Sequence, residues 1–148
     1  MNPEHLAAVH RRYQQVPSYQ YYGITVLELT EGSAQVTMAW QSWFANSNGF
    51  MHGGVLATLI DSVIGIAART VTSRITTTVE CKVNFIRPVR EQDLRANAEI
   101  MHKGNSLLVG RGDVFDSQGR LIATGTATYA MLQEDDWEKY QMPAQEKD

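Results

Sequence analysis

Along the chain the spacing of apolar and polar positions changes period, and each change marks an element. Over residues 3–15, Leu6, Val9 and Tyr13 recur at helical spacing, and Pro17 ends the run, so a short helix is predicted. Residues 22–30 and 33–40 carry β-branched side chains on either side of Glu31-Gly32, the pattern of a hairpin around a turn. Residues 41–52, with Asn46, Asn48 and Gly49, read as a loop. The segment 53–68, GGVLATLIDSVIGIAA, is apolar almost all the way round, as expected of a helix buried on most faces. After Ser73 the period becomes two. Val79, Cys81, Val83 and Phe85 alternate with Thr78, Glu80, Lys82 and Asn84, which predicts a half-buried strand ended by Pro88. Strands over 93–103, 106–116 and 120–131 follow, separated by turns at Lys103-Gly104-Asn105 and Asp116-Ser117-Gln118-Gly119. Tight turns imply antiparallel neighbours. The expected class is α+β, one antiparallel sheet packed around one long helix.

Length and composition narrow the function. The 148 residues are 43% hydrophobic and 20% charged, the size and balance of one globular domain over 1–148. Residues 1–20 would be a helical extension, and 133–148, with six acids and two lysines, a loosely held acidic tail. Cys81 is the only cysteine, which excludes an internal disulfide framework and a multi-cysteine zinc site. A net charge of −3 argues against a general nucleic-acid binder. The apolar run at 53–68 is short for a membrane span and has an acid at its middle. The first residues, with Glu4, Arg11 and Arg12, show no apolar core of signal-peptide length, so a cytoplasmic protein with no membrane partner is expected. No G-x-S-x-G elbow, phosphate-binding glycine loop or H-E-x-x-H pair occurs, so neither a metal nor a cofactor is expected.

Candidate chemistry centres on the long helix. Asp61 is the only charged residue between Gly53 and Ala68. A carboxylate in apolar surroundings costs several kcal/mol and is retained mainly where it serves a site or bonds to backbone or hydroxyls. Asn46 and then His52-Gly53-Gly54 precede the helix. Backbone N–H groups at a helix start favour negative charge, and glycines let a ligand approach them closely, which suits an oxygen becoming an oxyanion. Gly53 and Asp61 are eight residues apart, about 12 Å along one helix. One Asp61 therefore does not easily reach a carbonyl held at its own helix start, which favours a site shared across a symmetric dimer.

These residues carry a resemblance. Asn46-Ser-Asn-Gly-Phe-Met-His52-Gly53-Gly54 leading to Asp61, Thr78-Val-Glu-Cys-Lys-Val-Asn-Phe-Ile-Arg-Pro88, and Lys103-Gly104-Asn105-Ser106 before the last two strands together resemble the hotdog-fold acyl-CoA thioesterases of the phenylacetyl-CoA thioesterase (PaaI-like) group, over about residues 20–132. The resemblance implies a hotdog fold, in which an antiparallel sheet wraps around a long central helix. It implies a homodimer, commonly a dimer of dimers. The implied reaction is hydrolysis of an acyl-CoA to acid and CoA, with CoA as part of the substrate and no separate cofactor. By the same resemblance Asp61 would be nucleophile or general base, Gly53 would polarise the thioester carbonyl through its N–H, and Asn46 would position water or carboxylate. His52 would hold the thioester region, and Thr78 would lie near the attacking water. Asp61 and Thr78 would come from one subunit, and Asn46, His52 and Gly53 from the other. Stretches 85–90 and 103–108 would contact CoA, which brings in Phe85, Ile86, Arg87, Pro88, Arg90, Lys103, Gly104, Asn105 and Ser106, with Gly54 beside them.

Local charge agrees with a phosphate-bearing ligand, since residues 82–120 hold seven Lys and Arg against five acids. Trp40, Trp43, Phe44, Tyr19, Tyr21 and Tyr22 are candidates for an acyl pocket or for plain core, and as a pocket they would favour a medium-chain or aromatic acyl group. Two other functions share the fold: a hydratase or dehydratase acting on acyl thioesters, and a non-catalytic acyl-CoA binding module. The combination of Asp61 with Asn46, Gly53 and Thr78 favours catalysis.

Overall fold

In the computed structural model of the chain, which describes residues 3–132 and 140–143, the apolar run forms one helix, α3 (Gly53–Arg69). Leu59, Ile60, Val63, Ile64 and Ile66 are fully buried on it. Each such side chain contributes roughly 1.5–3 kcal/mol by leaving water. The helix stops at Thr70, whose hydroxyl donates to the Ala67 carbonyl at 2.6 Å and accepts from the Gly32 N–H at 2.7 Å. The end of the helix is thereby tied to the turn of the first hairpin. That turn is the predicted Glu31-Gly32, with Gly32 at φ 82°, between β1 (Ile24–Thr30) and β2 (Ser33–Met38).

The other strands are β3 (Thr76–Phe85), β4 (Leu94–Lys103), β5 (Leu107–Phe115) and β6 (Leu121–Met131). They form a six-stranded antiparallel sheet in the order β1-β2-β4-β5-β6-β3. All six strands contact α3, which is the hotdog arrangement. Inward positions are small where the helix comes close: Ala96 and Ala98 on β4, Gly110 and Gly112 on β5, Ala123, Gly125 and Ala127 on β6. A Cβ at Gly125 would lie 2.5 Å from the Lys82 carbonyl oxygen of β3 and 2.9 Å from Ile60 of α3. Backbone cannot swing aside as a side-chain tip can. Gly125→Ala is therefore expected to cost about 1–3 kcal/mol, read as a fall of several degrees in the thermal unfolding midpoint.

Two elements differ from the sequence reading. Pro17 does end the first helix, α1 (Pro3–Gln14), but it also opens a second, α2 (Pro17–Tyr22). Proline is well suited to a first helical position, where its missing N–H would have no partner anyway. The second difference is β3, predicted half-buried. Nearly all of it is exposed, including Val79 at 58% and Phe85 at 56%, because it is the terminal strand of the sheet and its outer edge has no partner strand among the described residues. The β3–β6 register also shifts between Thr78 and Glu80, leaving Val79 as the extra residue of a bulge. The bulge breaks the simple alternation. Thr78 pairs with the buried Tyr129, as Cys81 pairs with Ala127 and Val83 with Gly125. Thr78 thus joins the helix-facing row, where strict alternation would put it on the opposite face. Of the expected acidic tail, only residues 140–143 are described; the rest lies outside the described residues.

Candidate active site

Two polar groupings lie at different points along α3. The first surrounds Asp61. The Thr78 hydroxyl donates to Asp61 Oδ1 at 2.9 Å. The Tyr129 hydroxyl lies 2.6 Å from the same Oδ1 and 2.5 Å from the Asp61 carbonyl oxygen. Both donors reach one atom because Thr78 and Tyr129 are register partners on adjacent strands. Among the described residues Asp61 has no ion pair. Burial, and after it the hydrogen bond to Asp61, hold the Tyr129 phenol well above its usual titration range. The Cys81 thiol is also raised, by burial first and then by the charges of Asp61 and Glu80. Tyr129 is the site residue that sequence reading missed. It is a strand tyrosine among apolar neighbours, and only the register places it over Asp61.

The second grouping is built on the start of α3. His52 is the N-cap, and its Nδ1 accepts the Gly54 N–H at 2.9 Å. That acceptance puts the ring hydrogen of a neutral His52 on Nε2. The Val55 and Leu56 N–H groups both reach the His52 carbonyl oxygen, at 3.0 and 3.4 Å. Of the N–H groups in the first turn, only that of Gly53 has no acceptor among the described residues. Gly54 carries no free donor here, so of the two glycines only Gly53 offers an open N–H at the start of the helix. The Phe85 ring closes over Gly53, where a Cβ would meet its Cζ at 3.3 Å.

The loop before the helix is held by its own polar atoms. Asn46 Oδ1 accepts from the N–H groups of Asn48 and Phe50, at 2.9 and 3.1 Å, which leaves its amide NH₂ for other partners. Arg90 lies 4.0 Å over the Phe50 ring and donates to the Asn48 carbonyl at 3.3 Å. It braces the loop rather than standing free. Val89, the residue before it, accepts the Met51 N–H at 2.8 Å, so 85–90 runs beside the start of α3. Ile86, Arg87 and Pro88 are exposed there. Five of the predicted aromatics, Trp40, Trp43, Phe44, Tyr21 and Tyr22, form one cluster, with Trp43 and Phe44 ring centres 4.6 Å apart. Phe44 is fully buried and accepts the His52 N–H at 2.7 Å, so this cluster seats the loop. Tyr19 instead stacks on Tyr13 of α1 at 5.3 Å.

Lys103, Gly104, Asn105 and Ser106 lie at the other end of α3. The Lys103 ammonium donates to the Val71 carbonyl at 2.6 Å, and the Asn105 carbonyl accepts from Arg74 at 2.8 Å. A 17-residue helix spans about 25 Å. Within one chain, then, 85–90 and 103–106 flank opposite ends of the helix. Asp61 with Thr78 likewise stands apart from Asn46, His52 and Gly53.

No helix among the described residues is long and apolar enough to cross a membrane, and no cluster of three or more His, Cys, Asp or Glu among them suits a metal. A family model described as the thioesterase superfamily matches residues 48–123. The chain is 27% identical over 115 residues to the acyl-coenzyme A thioesterase PaaI of Escherichia coli K12, covering 77% of this chain and 81% of that protein. It is 26% identical over 98 residues to the medium/long-chain acyl-CoA thioesterase YigI of the same organism, covering 56% of this chain and 63% of that one. A solved structure of the conserved protein PA5202 from Pseudomonas aeruginosa superposes with a TM-score of 0.78 at 31% identity, over 82% of this chain and 98% of that one.

Proposed function

The chain belongs to the thioesterase superfamily, and from that premise we propose that it is an acyl-CoA thioesterase, hydrolysing a medium-chain or aromatic acyl-CoA to free acid and CoA. The observation that carries the reading is Asp61: a lone carboxylate in an apolar helix, held through Oδ1 by hydroxyls and balanced by no cation among the described residues. Oδ2 accepts no hydrogen bond there. A thioester is an activated acyl group, so one carboxylate and one oxyanion donor can complete the reaction without a Ser-His-Asp triad.

The active unit is a homodimer. The exposed β3 edge and the apolar side chains beside it are the surface that a second copy would cover. In that unit Asp61 and Thr78 of one chain face Gly53, His52 and Asn46 of the other. The Gly53 N–H receives the thioester oxygen as it gains charge. Asp61 supplies the electron pair, either by taking a proton from the attacking water or by attacking the carbonyl carbon itself. By either route the C–S bond breaks and the CoA thiolate takes up the proton that water loses; where Asp61 itself attacks, water then cleaves the acyl–Asp61 anhydride and restores the carboxylate. The Asn46 amide orients the water or the carboxylate, and the exposed His52 ring lies beside the thioester. The open stretch at 85–90 of one chain and the 103–106 turn of the other bracket the CoA moiety.

The test is release of free CoA from acetyl-, hexanoyl-, lauroyl-, phenylacetyl- and benzoyl-CoA, followed with a thiol reagent. Turnover is expected to be fastest on hexanoyl-, lauroyl- or phenylacetyl-CoA. Tight binding of the same thioesters with no CoA release would replace this reading by a binding module.

A further inference from the structure

We propose that Tyr129 is a positioning residue for Asp61. Together with Thr78 it fixes carboxylate Oδ1, so that Oδ2 is the oxygen presented to the thioester. The proposal rests on the reading of Asp61 as the catalytic carboxylate.

Three observations converge on the Tyr129 hydroxyl. The first is the contact itself. At 2.6 Å from Oδ1 it is a short O–H···O hydrogen bond, in the range typical of charged acceptors, and Thr78 brings a second hydrogen to the same oxygen at 2.9 Å. Two donors occupy the lone pairs of Oδ1, and among the described residues no donor reaches Oδ2. The carboxylate is thus divided into a held oxygen and a free one. Rotation about χ2 would exchange the two, and the paired hydroxyls oppose it.

The second observation is that space is made for the phenol. Gly65 lies one turn beyond Asp61 on the same face of α3, and a Cβ there would stand 3.3 Å from the Tyr129 oxygen. A larger residue would push the ring away from the helix. Tyr129 itself is 4% exposed, so its hydroxyl has little water to fall back on.

The third is the pair of acceptors. A hydroxyl has one hydrogen, and this one has two acceptors, Oδ1 at 2.6 Å and the Asp61 carbonyl oxygen at 2.5 Å. The charged oxygen is the stronger acceptor while Asp61 is ionised. When Asp61 takes up a proton or an acyl group, the hydrogen can turn to the carbonyl without leaving a buried donor unpaired. The ring therefore stays in place through the cycle, which a tyrosine satisfied only by the carboxylate would not ensure. A phenylalanine would fill the same volume and hold nothing.

The experiment compares wild type, Tyr129→Phe and Asp61→Asn. Tyr129→Phe is expected to lower kcat about 10- to 100-fold with KM changed less than about twofold, the loss of one hydrogen bond to a charged group felt only in the reacting complex. Adding Thr78→Val should cost less than the product of the two single losses, since both act on one oxygen. A readout free of turnover is the proton NMR resonance of the Tyr129 hydroxyl. It should be shifted downfield in wild type, absent in Tyr129→Phe and moved upfield in Asp61→Asn. A Tyr129→Phe enzyme that melts earlier but keeps wild-type kcat would overturn the proposal, as would a resonance indifferent to Asp61→Asn. Should wild type release no CoA at all, the hydrolase reading falls, and the resonance alone still decides whether Tyr129 holds Asp61.

Discussion

Asp61→Asn is expected to lower kcat on the best acyl-CoA by about 10²–10⁴, the range that a positioned general base supplies. Asparagine matches aspartate in shape, and its carbonyl oxygen can keep both hydrogens that Thr78 and Tyr129 direct at Oδ1. What changes is the other branch, where an NH₂ replaces the free Oδ2. It can neither take a proton from water nor attack a carbonyl carbon. The substitution therefore removes the chemistry while leaving the packing of α3 nearly as it is. Thermal unfolding measured beside the CoA-release assay separates the two effects: the midpoint should hold while the rate falls. A variant that keeps more than about a tenth of wild-type kcat would remove Asp61 from the reaction and, with it, the hydrolase reading.

What the sequence shows of this molecule follows from how local each cause is. The period of α3 and the β1–β2 turn are decided by residues within a few positions of one another, and both stand where the pattern puts them. The β4–β5 and β5–β6 turns are of the same kind. The lone charge of Asp61 in an apolar run marks the site for the same reason. The misreadings have longer reach. Whether β3 is covered depends on what lies against a sheet edge, which no window of the sequence contains. Thr78 comes to face Asp61 only through the bulge at Val79, and alternation read from the sequence alone points it the other way. Tyr129 stands 68 residues from Asp61 and looks like any strand tyrosine until the β3–β6 register is known. Lys103 and Arg90 read as cations for a phosphate-bearing ligand, yet one donates to a carbonyl just past the end of α3 and the other braces the Asn46 loop. Charge is visible in a sequence, but its partner is not.

The second large effect concerns Gly53, and it also tests where the two halves of the site meet. Gly53→Pro deletes the one first-turn N–H that lacks an acceptor among the described residues, and it does so without breaking the helix. Proline is favoured at the first helical position, and His52 at φ −62°, ψ 136° already has the extended backbone that a following proline requires. The new ring meets the tip of the exposed Phe85 side chain, which can swing outward. The loss should be about 10²–10³ in kcat, as for removal of one oxyanion donor elsewhere. Each variant is then nearly inactive alone. In the proposed dimer, however, a Gly53→Pro chain still offers its Asp61, and an Asp61→Asn chain still offers its Gly53. Unfolding and refolding the two in equal amounts gives about half mixed dimers, each with one intact site of its two, and so about a quarter of wild-type activity. Such a return from two inactive parents has no route within single chains, where Gly53 and Asp61 are separated by about 12 Å of helix. Mass spectrometry of the intact dimers confirms that chains have exchanged. Mixed dimers with no gain in CoA release would mean that both groups act from the same chain or that Gly53 holds no oxyanion.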